Sequence, residues 1–386
     1  MMSPAGDRSG RYVTQPAGYR AFIPSAFPPL DLAVDAELLM ALGRADRALA
    51  RLDGAATVLP DVDLFISMYI VQEATKSSQI EGTQASMVDV FEVQADADDR
   101  ERRDAVREIQ NYIEAMNHGL RRLPDLPVSL RLVGEIHRIL MSEVRGGDSA
   151  RTPGEFRRSQ NWIGGSSPGN ARFVPPPVDE MNRCLDEWEK SVHNREQIPP
   201  LLHIGMLHAQ FETIHPFLDG NGRVGRLLVT FLLTEQGVLV QPLLYLSIFF
   251  KAHQEEYYRR LQATRDVGDW EGWLRFFVDG VAETATGATD TVRSIIRLRD
   301  SDRARLSELG RKGASAMRLH DFLFSRPVIT AKTVQEFLGI THPTANSLIS
   351  DFERLGVLHE WTGHRRNRSW IYKGYLDIFL GSADRR

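Results

Sequence analysis

Cysteine is almost absent from this chain, which contains one such residue, Cys184, in 386. A single cysteine cannot form an internal disulfide, so the sequence excludes the disulfide-stapled class of small secreted proteins. Cys184 lies within a helical pattern of apolar residues, where we expect it to pack rather than to react. This cysteine usage is typical of a reducing compartment, and we expect a cytoplasmic protein.

Long apolar runs and a strong net charge are missing as well. The most apolar segments, such as 227–233, are far too short to span a bilayer, and the first thirty residues lack the apolar core of a signal peptide. The formal net charge of −4 argues against binding of the whole surface to nucleic acid or membrane. We therefore expect a soluble protein with no membrane contact, although a local basic face can exist within that average.

One stretch of twelve residues, 215–226, combines a base, an acid, three glycines and two guanidinium groups in the order HPFLDGNGRVGR. Gly220 and Gly222 allow a tight turn, and the apolar residues that follow predict a buried helix that begins here. The free amides of a helix N-terminus bind anions. Arg223 and Arg226, three residues apart, suit bidentate contacts with phosphate. The stretch therefore predicts a phosphate-binding turn.

Two further side chains of this stretch supply reactive groups. Asp219 can hold a divalent cation beside the phosphates. His215 can act as a general base, because its unperturbed pKa lies near the working pH of most enzymes. Together with the phosphate-binding turn, these groups predict phosphoryl or nucleotidyl transfer.

The same stretch resembles the signature of the Fic family, His-x-Phe-x-(Asp/Glu)-Gly-Asn-Gly-Arg-x-x-Arg, and matches it at every fixed position. Most members of that family transfer AMP from ATP to a hydroxyl side chain of a target protein. The resemblance implies that His215 deprotonates a Ser, Thr or Tyr of the target and that Asp219 holds Mg²⁺. It implies that Arg223 and Arg226 contact the β- and γ-phosphates. The implied nucleotide-binding residues are Phe217, Asp219, Gly220, Asn221, Gly222, Arg223 and Arg226.

A second motif lies upstream, at residues 77–82, with the sequence SSQIEG. Ser77 and Glu81 are four residues apart and so share one face of a helix, and Gly82 is suited to end that helix. The segment resembles the inhibitory motif of Fic proteins, Ser/Thr-x-x-x-Glu-Gly/Asn. The resemblance implies that Glu81 forms two hydrogen bonds with Arg226 and denies this guanidinium to the γ-phosphate. The chain would then inhibit itself from its N-terminal side.

Residues 154–177 break the helical pattern. Two short extended pieces, 161–163 and 171–174, flank a turn rich in glycine and serine, which predicts a β-hairpin. The hairpin resembles the flap of Fic proteins, whose exposed edge pairs with an extended segment of the target. The implied target-binding residues are Trp162, Ile163, Phe173 and Val174.

An apolar or aromatic wall is also needed to hold the flat adenine base. The resemblance places this wall near residues 243–261, and Tyr257 is the candidate contact with adenine.

Helical periodicity through most of the chain predicts a mainly α fold, a Fic helical bundle with a β-hairpin flap followed by a small second domain. Prolines in the first thirty residues exclude a helix there. The predicted segments are an extended arm (1–30), N-terminal helices with the inhibitory motif (31–123), a Fic catalytic core (124–285), a connecting helix (286–312) and a winged-helix domain (313–386).

The last segment resembles a winged helix-turn-helix. Helices are expected at 330–338 and 342–354, and strands at 355–358 and 369–372, around a tip at 363–368 that carries three arginines. Residues 301–386 contain 14 Lys and Arg against 9 Asp and Glu, a mildly basic balance within an acidic chain. Both DNA and protein remain open as partners of residues 313–386.

Two functions from different classes follow from these observations. The first is an autoinhibited protein adenylyltransferase that uses ATP and Mg²⁺ to modify itself or a partner protein, with removal of AMP at the same site as a variant. The second is a DNA-binding regulator whose Fic-like domain senses a nucleotide without transferring it. Fic proteins of this arrangement often self-associate, so we expect a homodimer.

Overall fold

The computed structural model of the chain describes residues 6–29, 32–57, 59, 62–92, 100–144, 152–194, 198–362 and 368–379. These residues are mainly helical, as the periodicity predicts. Helices α1 to α16 span Gly6–Ser9, Ala36–Ala56, Val62–Ile80, Met87–Glu92, Arg100–Arg122, Leu130–Leu140, Val178–His193, Pro200–Ile214, Asn221–Glu235, Ser247–Ala252, Gln254–Asp266, Trp270–Ser307, Gly313–Ser325, Ala331–Leu338, His342–Arg354 and Lys373–Phe379. Strands β1 to β5 span Gly10–Thr14, Arg20–Pro24, Val328–Thr330, His359–Glu360 and Ser369–Ile371.

The chain divides into two compact units. One contains residues 1–53, 73–85 and 99–286, and the other contains residues 54–72, 86–98 and 287–386. The first unit holds both motifs found in the sequence. Among the residues described, no helix combines the length and apolarity needed to cross a membrane.

The core of the first unit is built around α8 and α9. Every residue of α8 from Leu201 to Ile214 is buried, and so is most of α9. Because neither helix has a solvent-exposed face, both must be enclosed on all sides by other elements. Helix α8 contacts α7, α9 and α11, and α9 also contacts α5 and α6. The loop between α8 and α9 is the 215–220 part of the active-site motif, so two buried helices hold it in place.

A close contact between α5 and α9 depends on Gly119. A Cβ atom at this position would lie 2.2 Å from Cζ of Phe231, a fully buried ring on α9. We expect Gly119→Ala to lower the free energy of unfolding by about 1–3 kcal/mol, the usual cost of overpacking a core. Denaturant unfolding measures this change.

Gly43→Ala is the matched control, since Gly43 also lies within a helix but faces only the tip of Arg47, at 3.4 Å. There the better helix propensity of alanine should leave stability unchanged or raise it by up to about 1 kcal/mol. Equal losses in the two variants would contradict the close contact.

The N-terminal residues form a hairpin rather than an extended arm. Strands β1 and β2 pair antiparallel, with Tyr12 opposite Phe22. The expected absence of helix is also wrong for four residues, because α1 lies between Pro4 and Pro16 and contains neither proline. The hairpin is held by the ring contact between Tyr12 and Phe22, whose centroids are 5.2 Å apart.

Helix α12 is one continuous helix, where the sequence predicted an end near residue 285 and a separate connecting helix. It runs through residues 286–288 without interruption. Gly287 lies within this helix, because a lone glycine costs only about 1 kcal/mol relative to alanine and no proline follows it.

The C-terminal residues follow the predicted order with two corrections. Helix α15 begins and ends where it was predicted, and β3, β5 and β4 form a three-stranded antiparallel sheet in that order. The strand predicted at 355–358 is wrong, because these residues form the turn that directly follows the C-terminus of α15. Gly356 has a positive φ of 71°, and the amides of Val357 and Leu358 donate to the carbonyl of Phe352. Strand β3 and helix α16 were missed.

The basic groups expected at the wing lie only partly within the described residues. Residues 363–367, with Arg365 and Arg366, fall outside them. Arg368 donates to Glu360 and lies over the ring of Trp370, 5.0 Å from its centroid. DNA binding by this segment stays a prediction, and the described ion pair of Arg368 does not strengthen it.

Candidate active site

His215 lies at the end of α8, in a left-handed conformation with φ 50° and ψ 61°. Its amide donates to the carbonyl of Phe211 and so closes the last turn of the helix. Its own carbonyl accepts hydrogen bonds from Nε of Arg157 at 3.1 Å and from Nδ2 of Asn161 at 3.0 Å. A non-glycine residue with positive φ is uncommon and needs such support from its surroundings.

His215 is a neutral base in this environment. Burial holds its pKa well below the usual range, and the positive charges of Arg265 and Arg157 add to that effect. A histidine must be neutral to accept a proton, so the site favours the form of His215 that acts as a general base.

The loop after His215 is closed by Asn221. Its side-chain oxygen accepts from the amide of Phe217 and its side-chain nitrogen donates to the carbonyl of Phe217, both at 2.8 Å. Asn161 also donates to the carbonyl of Phe217, at 2.7 Å. Phe217 is fully buried, so these hydrogen bonds hold the loop against the core, and a contact of Phe217 with a nucleotide stays a prediction.

His137, on α6, supports the same loop. Its ring stacks on that of Phe217, with centroids 3.7 Å apart and planes 6° from parallel. Its Nδ1 accepts from the amide of Gly154, so its Nε2 carries the hydrogen and donates to the carbonyl of Asp219 at 3.1 Å. Burial lowers the pKa of His137 to about 4, which keeps this neutral form. No pattern in the sequence indicated this role for His137.

The N-terminus of α9 presents amides and a guanidinium. Gly220 precedes the helix with φ 77°, a conformation that suits glycine, and it has no side chain to cap the first turn. Arg223 lies on this turn and is 6% exposed. Its Nη1 forms an ion pair with Oε2 of Glu108 at 3.8 Å, beyond hydrogen-bond distance, and among the described residues its Nε and Nη1 have no hydrogen-bond partner. Buried donors without partners are costly, and a phosphate at this helix N-terminus would satisfy them.

Arg226 is bound by the upstream motif. Its Nη2 donates to Oε1 of Glu81 at 2.7 Å and to the carbonyl of Ser77 at 3.0 Å, and its Nε donates to Oγ of Ser77 at 2.8 Å. The sequence predicted two hydrogen bonds to the carboxylate. The structure has one to Glu81 and two to Ser77, because α3 places Ser77 directly beside the guanidinium.

Glu81 also lies against the phosphate-binding turn. A Cβ atom on Gly222 would come within 2.3 Å of Oε1 of Glu81. The carboxylate therefore occupies space at the first turn of α9, where an anion would meet the helix amides. The side chain of Glu81 is 37% exposed, while that of Arg226 is 2% exposed.

The end of α3 that carries Glu81 is held by several contacts. Lys251 donates to the carbonyl of Gln79 at 2.8 Å, and Gln254 donates to the carbonyl of Ile80 at 3.0 Å. Both carbonyls belong to the last turn of α3 and have no partner within the helix. The positive charge of Lys251 is also favourable at this end of the helix, where the helix dipole is negative. These contacts hold the backbone before Glu81, whereas the side chain of Glu81 reaches the solvent.

The flap is a minimal hairpin with one bridge, between Ile163 and Phe173. Trp162 is 39% exposed, and its contact with a target stays a prediction. Phe173 and Val174 differ from the expectation, because both are buried. The carbonyl of Val174 accepts from the amide of Phe22, so the N-terminal hairpin already uses the flap backbone at this position.

Tyr257 lies in the core rather than on a surface that could hold adenine. It is 1% exposed, and its hydroxyl forms a 2.9 Å hydrogen bond with Nε2 of His208. Its ring packs on Phe250, with centroids 4.5 Å apart. The expectation failed because an aromatic residue on an amphipathic helix packs inward more often than it binds a ligand.

The carboxylate of Asp219 is suited to be the one protein ligand of a Mg²⁺ ion. It is partly exposed in the loop, and its Oδ1 accepts from the amide of Gly220 at 2.7 Å. In the described residues, no group of three or more His, Cys, Asp or Glu forms a protein cage for a metal. Mg²⁺ is commonly held by one or two carboxylates together with substrate phosphates, so this donor set suits a cation that arrives with a nucleotide.

The functional segments match known families. Residues 39–121 match the family described as Fic/DOC family N-terminal, and residues 127–233 match the Fic/DOC family. The chain is 32% identical over 162 residues to "Protein adenylyltransferase Fic" of Aedes aegypti, and 32% identical over 163 residues to the protein of the same name in Culex quinquefasciatus. Each match covers 41% of this chain and 28% of the relative, so the matched part is under a third of those proteins.

Solved structures share the fold. A Fic family protein from Desulfovibrio desulfuricans G20 superposes with a TM-score of 0.56 and 17% identity, covering 88% of this chain and 97% of that one. A Fic domain containing signaling protein from Bacteroides thetaiotaomicron VPI-5482 gives a TM-score of 0.54 and 15% identity, covering 65% of this chain and 97% of that one. The chain therefore contains a Fic/DOC family N-terminal segment at residues 39–121 and a Fic/DOC family segment at residues 127–233.

Proposed function

We propose that the chain is an autoinhibited protein adenylyltransferase, which transfers AMP from ATP to a Ser, Thr or Tyr hydroxyl of a target protein or of itself. The name of the insect relatives supports this activity, and the matching region contains His215 and the phosphate-binding turn. The single observation that carries the autoinhibition is the Glu81 carboxylate, which binds Arg226 while it lies against Gly222.

The proposed chemistry uses the neutral His215. It accepts the proton of the target hydroxyl as the hydroxyl oxygen bonds to the α-phosphorus of ATP. The bond from that phosphorus to the β-phosphate oxygen breaks, and pyrophosphate leaves. The N-terminus of α9 and the guanidinium of Arg223 stabilise the negative charge of the phosphates. A Mg²⁺ ion held by Asp219 would neutralise further phosphate charge.

Inhibition in this proposal acts at Arg226. Its guanidinium faces Ser77 and Glu81, so a γ-phosphate can reach it only if Glu81 moves away. A charge-assisted hydrogen bond to a buried guanidinium is among the stronger polar contacts in proteins. ATP must therefore displace an intramolecular anion before it binds in the reactive arrangement.

The position of the isotope in ATP tests the reaction type. In a Glu81→Gly variant with Mg²⁺, label at the α-phosphorus should appear on protein, and label at the γ-phosphorus should not. Transfer of γ-label instead would mean phosphorylation and would contradict AMP transfer.

Two other outcomes would favour the remaining candidates. Loss of AMP from a prelabelled protein, dependent on Glu81, would show that the same site removes AMP. Binding of ATP without any labelling in Glu81→Gly would favour a nucleotide-sensing regulator, and a salt-dependent mobility shift of duplex DNA by the full chain would then identify its partner.

A further inference from the structure

A buried arginine, Arg265 on α11, holds the end of α8 that carries His215. Its Nη2 donates to the carbonyl of Glu212 at 3.1 Å, and its Nε donates to Oγ1 of Thr213 at 3.1 Å. Arg265 is 7% exposed. It therefore satisfies a carbonyl of the last turn of α8, and its charge faces the negative end of that helix.

The same guanidinium covers the flap. Its central carbon lies 4.1 Å from the centroid of Phe173, the buried flap residue that pairs with Ile163. A guanidinium over an aromatic face is attractive, and more so when both groups are shielded from water. Arg265 thus contacts the helix that carries the base and the hairpin over the site with one rigid, planar group.

Arg157 makes a parallel connection from the start of the flap. Its Nε donates to the carbonyl of His215, and its Nη2 donates to the carbonyl of Pro176 at 2.5 Å. It is 1% exposed. Among the described residues neither Arg157 nor Arg265 forms an ion pair with a carboxylate. Arg157 donates to backbone carbonyls, whereas Arg265 donates to a backbone carbonyl and a hydroxyl and lies over a ring.

Buried charges without a carboxylate partner are costly and are retained where they have a role. Burial lowers the pKa of both guanidinium groups to about 10, which still leaves them charged at neutral pH. A lysine at either position could not reproduce two directed contacts, because its ammonium is a point charge.

We propose that Arg265 is a positioning residue for the transfer reaction, which fixes His215 relative to the flap through Glu212, Thr213 and Phe173. This inference rests on the proposed adenylyltransferase activity. It adds that the base and the target-presenting hairpin move as one unit, and that the arginine joining them is outside both sequence motifs. Within the described residues, the contacts of Arg265 are with Glu212, Thr213 and Phe173 and not with the first turn of α9, so we expect its removal to affect the transfer step and to leave ATP binding intact.

The test compares Glu81→Gly with Glu81→Gly/Arg265→Lys in the full chain. Initial rates of α-label transfer to protein are measured over a range of ATP concentrations, with a fixed amount of soluble cell extract as the source of hydroxyl targets. We expect the apparent kcat to fall roughly 10- to 100-fold, the usual effect of a small misplacement of a catalytic group, with the KM for ATP within about twofold. Arg259→Lys, an exposed arginine of the same helix, is the matched control and should change neither constant.

An unchanged kcat in the Arg265→Lys variant would overturn the proposal. A higher KM for ATP together with a lower melting temperature would also overturn it, since that pattern indicates general destabilisation.

If Arg265→Lys does not fold, the Phe173→Leu variant tests the proposal instead, because it removes the aromatic face and keeps apolar volume. A fall of a few-fold in kcat at constant KM supports the proposal, and no fall overturns it. An absence of labelling in Glu81→Gly itself would instead refute the proposed function, and the role of Arg265 with it.

Discussion

Glu81→Gly should raise the initial rate of AMP incorporation from ATP roughly 10- to 100-fold above that of the unmodified chain. The substitution removes the carboxylate that accepts from Arg226 at 2.7 Å and clears the space beside Gly222. A hydrogen bond to a charged group contributes about 1.5–3 kcal/mol, which corresponds to that range of rates if ATP must break it. Transfer of α-label to protein in the presence of Mg²⁺ measures the effect.

Two further variants separate the loss of the carboxylate from the gain of a flexible residue. Gln84→Gly places a glycine in the segment that follows Glu81, where the side chain of Gln84 is exposed and donates to the carbonyl of Gly82, and it should label no faster than the unmodified chain. Glu81→Gln keeps the size of the side chain but not its charge, and it should give an intermediate rate. Equal rates in the unmodified chain and Glu81→Gly would contradict inhibition by Glu81.

His215→Ala in the Glu81→Gly background should lower AMP incorporation by about 10²- to 10⁴-fold, the usual contribution of a general base. His215 caps α8, and the groups that we expect to bind ATP lie on the following loop and helix. The affinity for ATP should therefore change little, and titration calorimetry checks this alongside the labelling assay.

His193→Ala is the control for His215, because His193 is an exposed histidine at the end of α7. It should leave the rate of the Glu81→Gly background unchanged. Labelling that persists in His215→Ala at the rate of its parent would mean that another group accepts the proton.

The active-site motif could be predicted from the sequence because it is contiguous. A base, an acid, glycines and arginines within twelve residues constrain one another, and a buried helix follows them as predicted. The pair of Glu81 with Arg226 was also predicted, although 145 residues separate them, because the upstream motif has its own pattern. The hydrogen bonds of Ser77 to the guanidinium could not be counted in advance, since they depend on how closely α3 approaches α9.

The supports of the site could not be predicted. Asn161 and Arg157 bind the carbonyl of His215 across 54 and 58 residues, and a single arginine or asparagine in a loop has no spacing that indicates such a contact. His137 and Arg265 are equally isolated in the sequence. Long-range contacts of this kind follow from tertiary packing, which local patterns do not contain.

Burial explains the expectations that failed. Tyr257, Phe173 and Val174 were assigned to ligands because aromatic and extended residues suit adenine and β-pairing, but all three are less than 5% exposed. The pattern of apolar residues showed that these segments have a buried side, and it did not show which residues lie on it. The strand predicted at 355–358 failed for a related reason, since apolar residues after a helix can pack under its end as well as extend into a sheet.

The central claim is that Arg226 cannot bind Glu81 and a γ-phosphate at the same time. Calorimetric titration of the unmodified chain and of Glu81→Gly with ATP and with ADP, both with Mg²⁺, tests it directly, because ADP lacks the γ-phosphate. We predict that Glu81→Gly increases the affinity for ATP relative to ADP by roughly tenfold or more, as expected when a charge-assisted contact becomes available. The same ratio of ATP to ADP affinity in both proteins would contradict the claim.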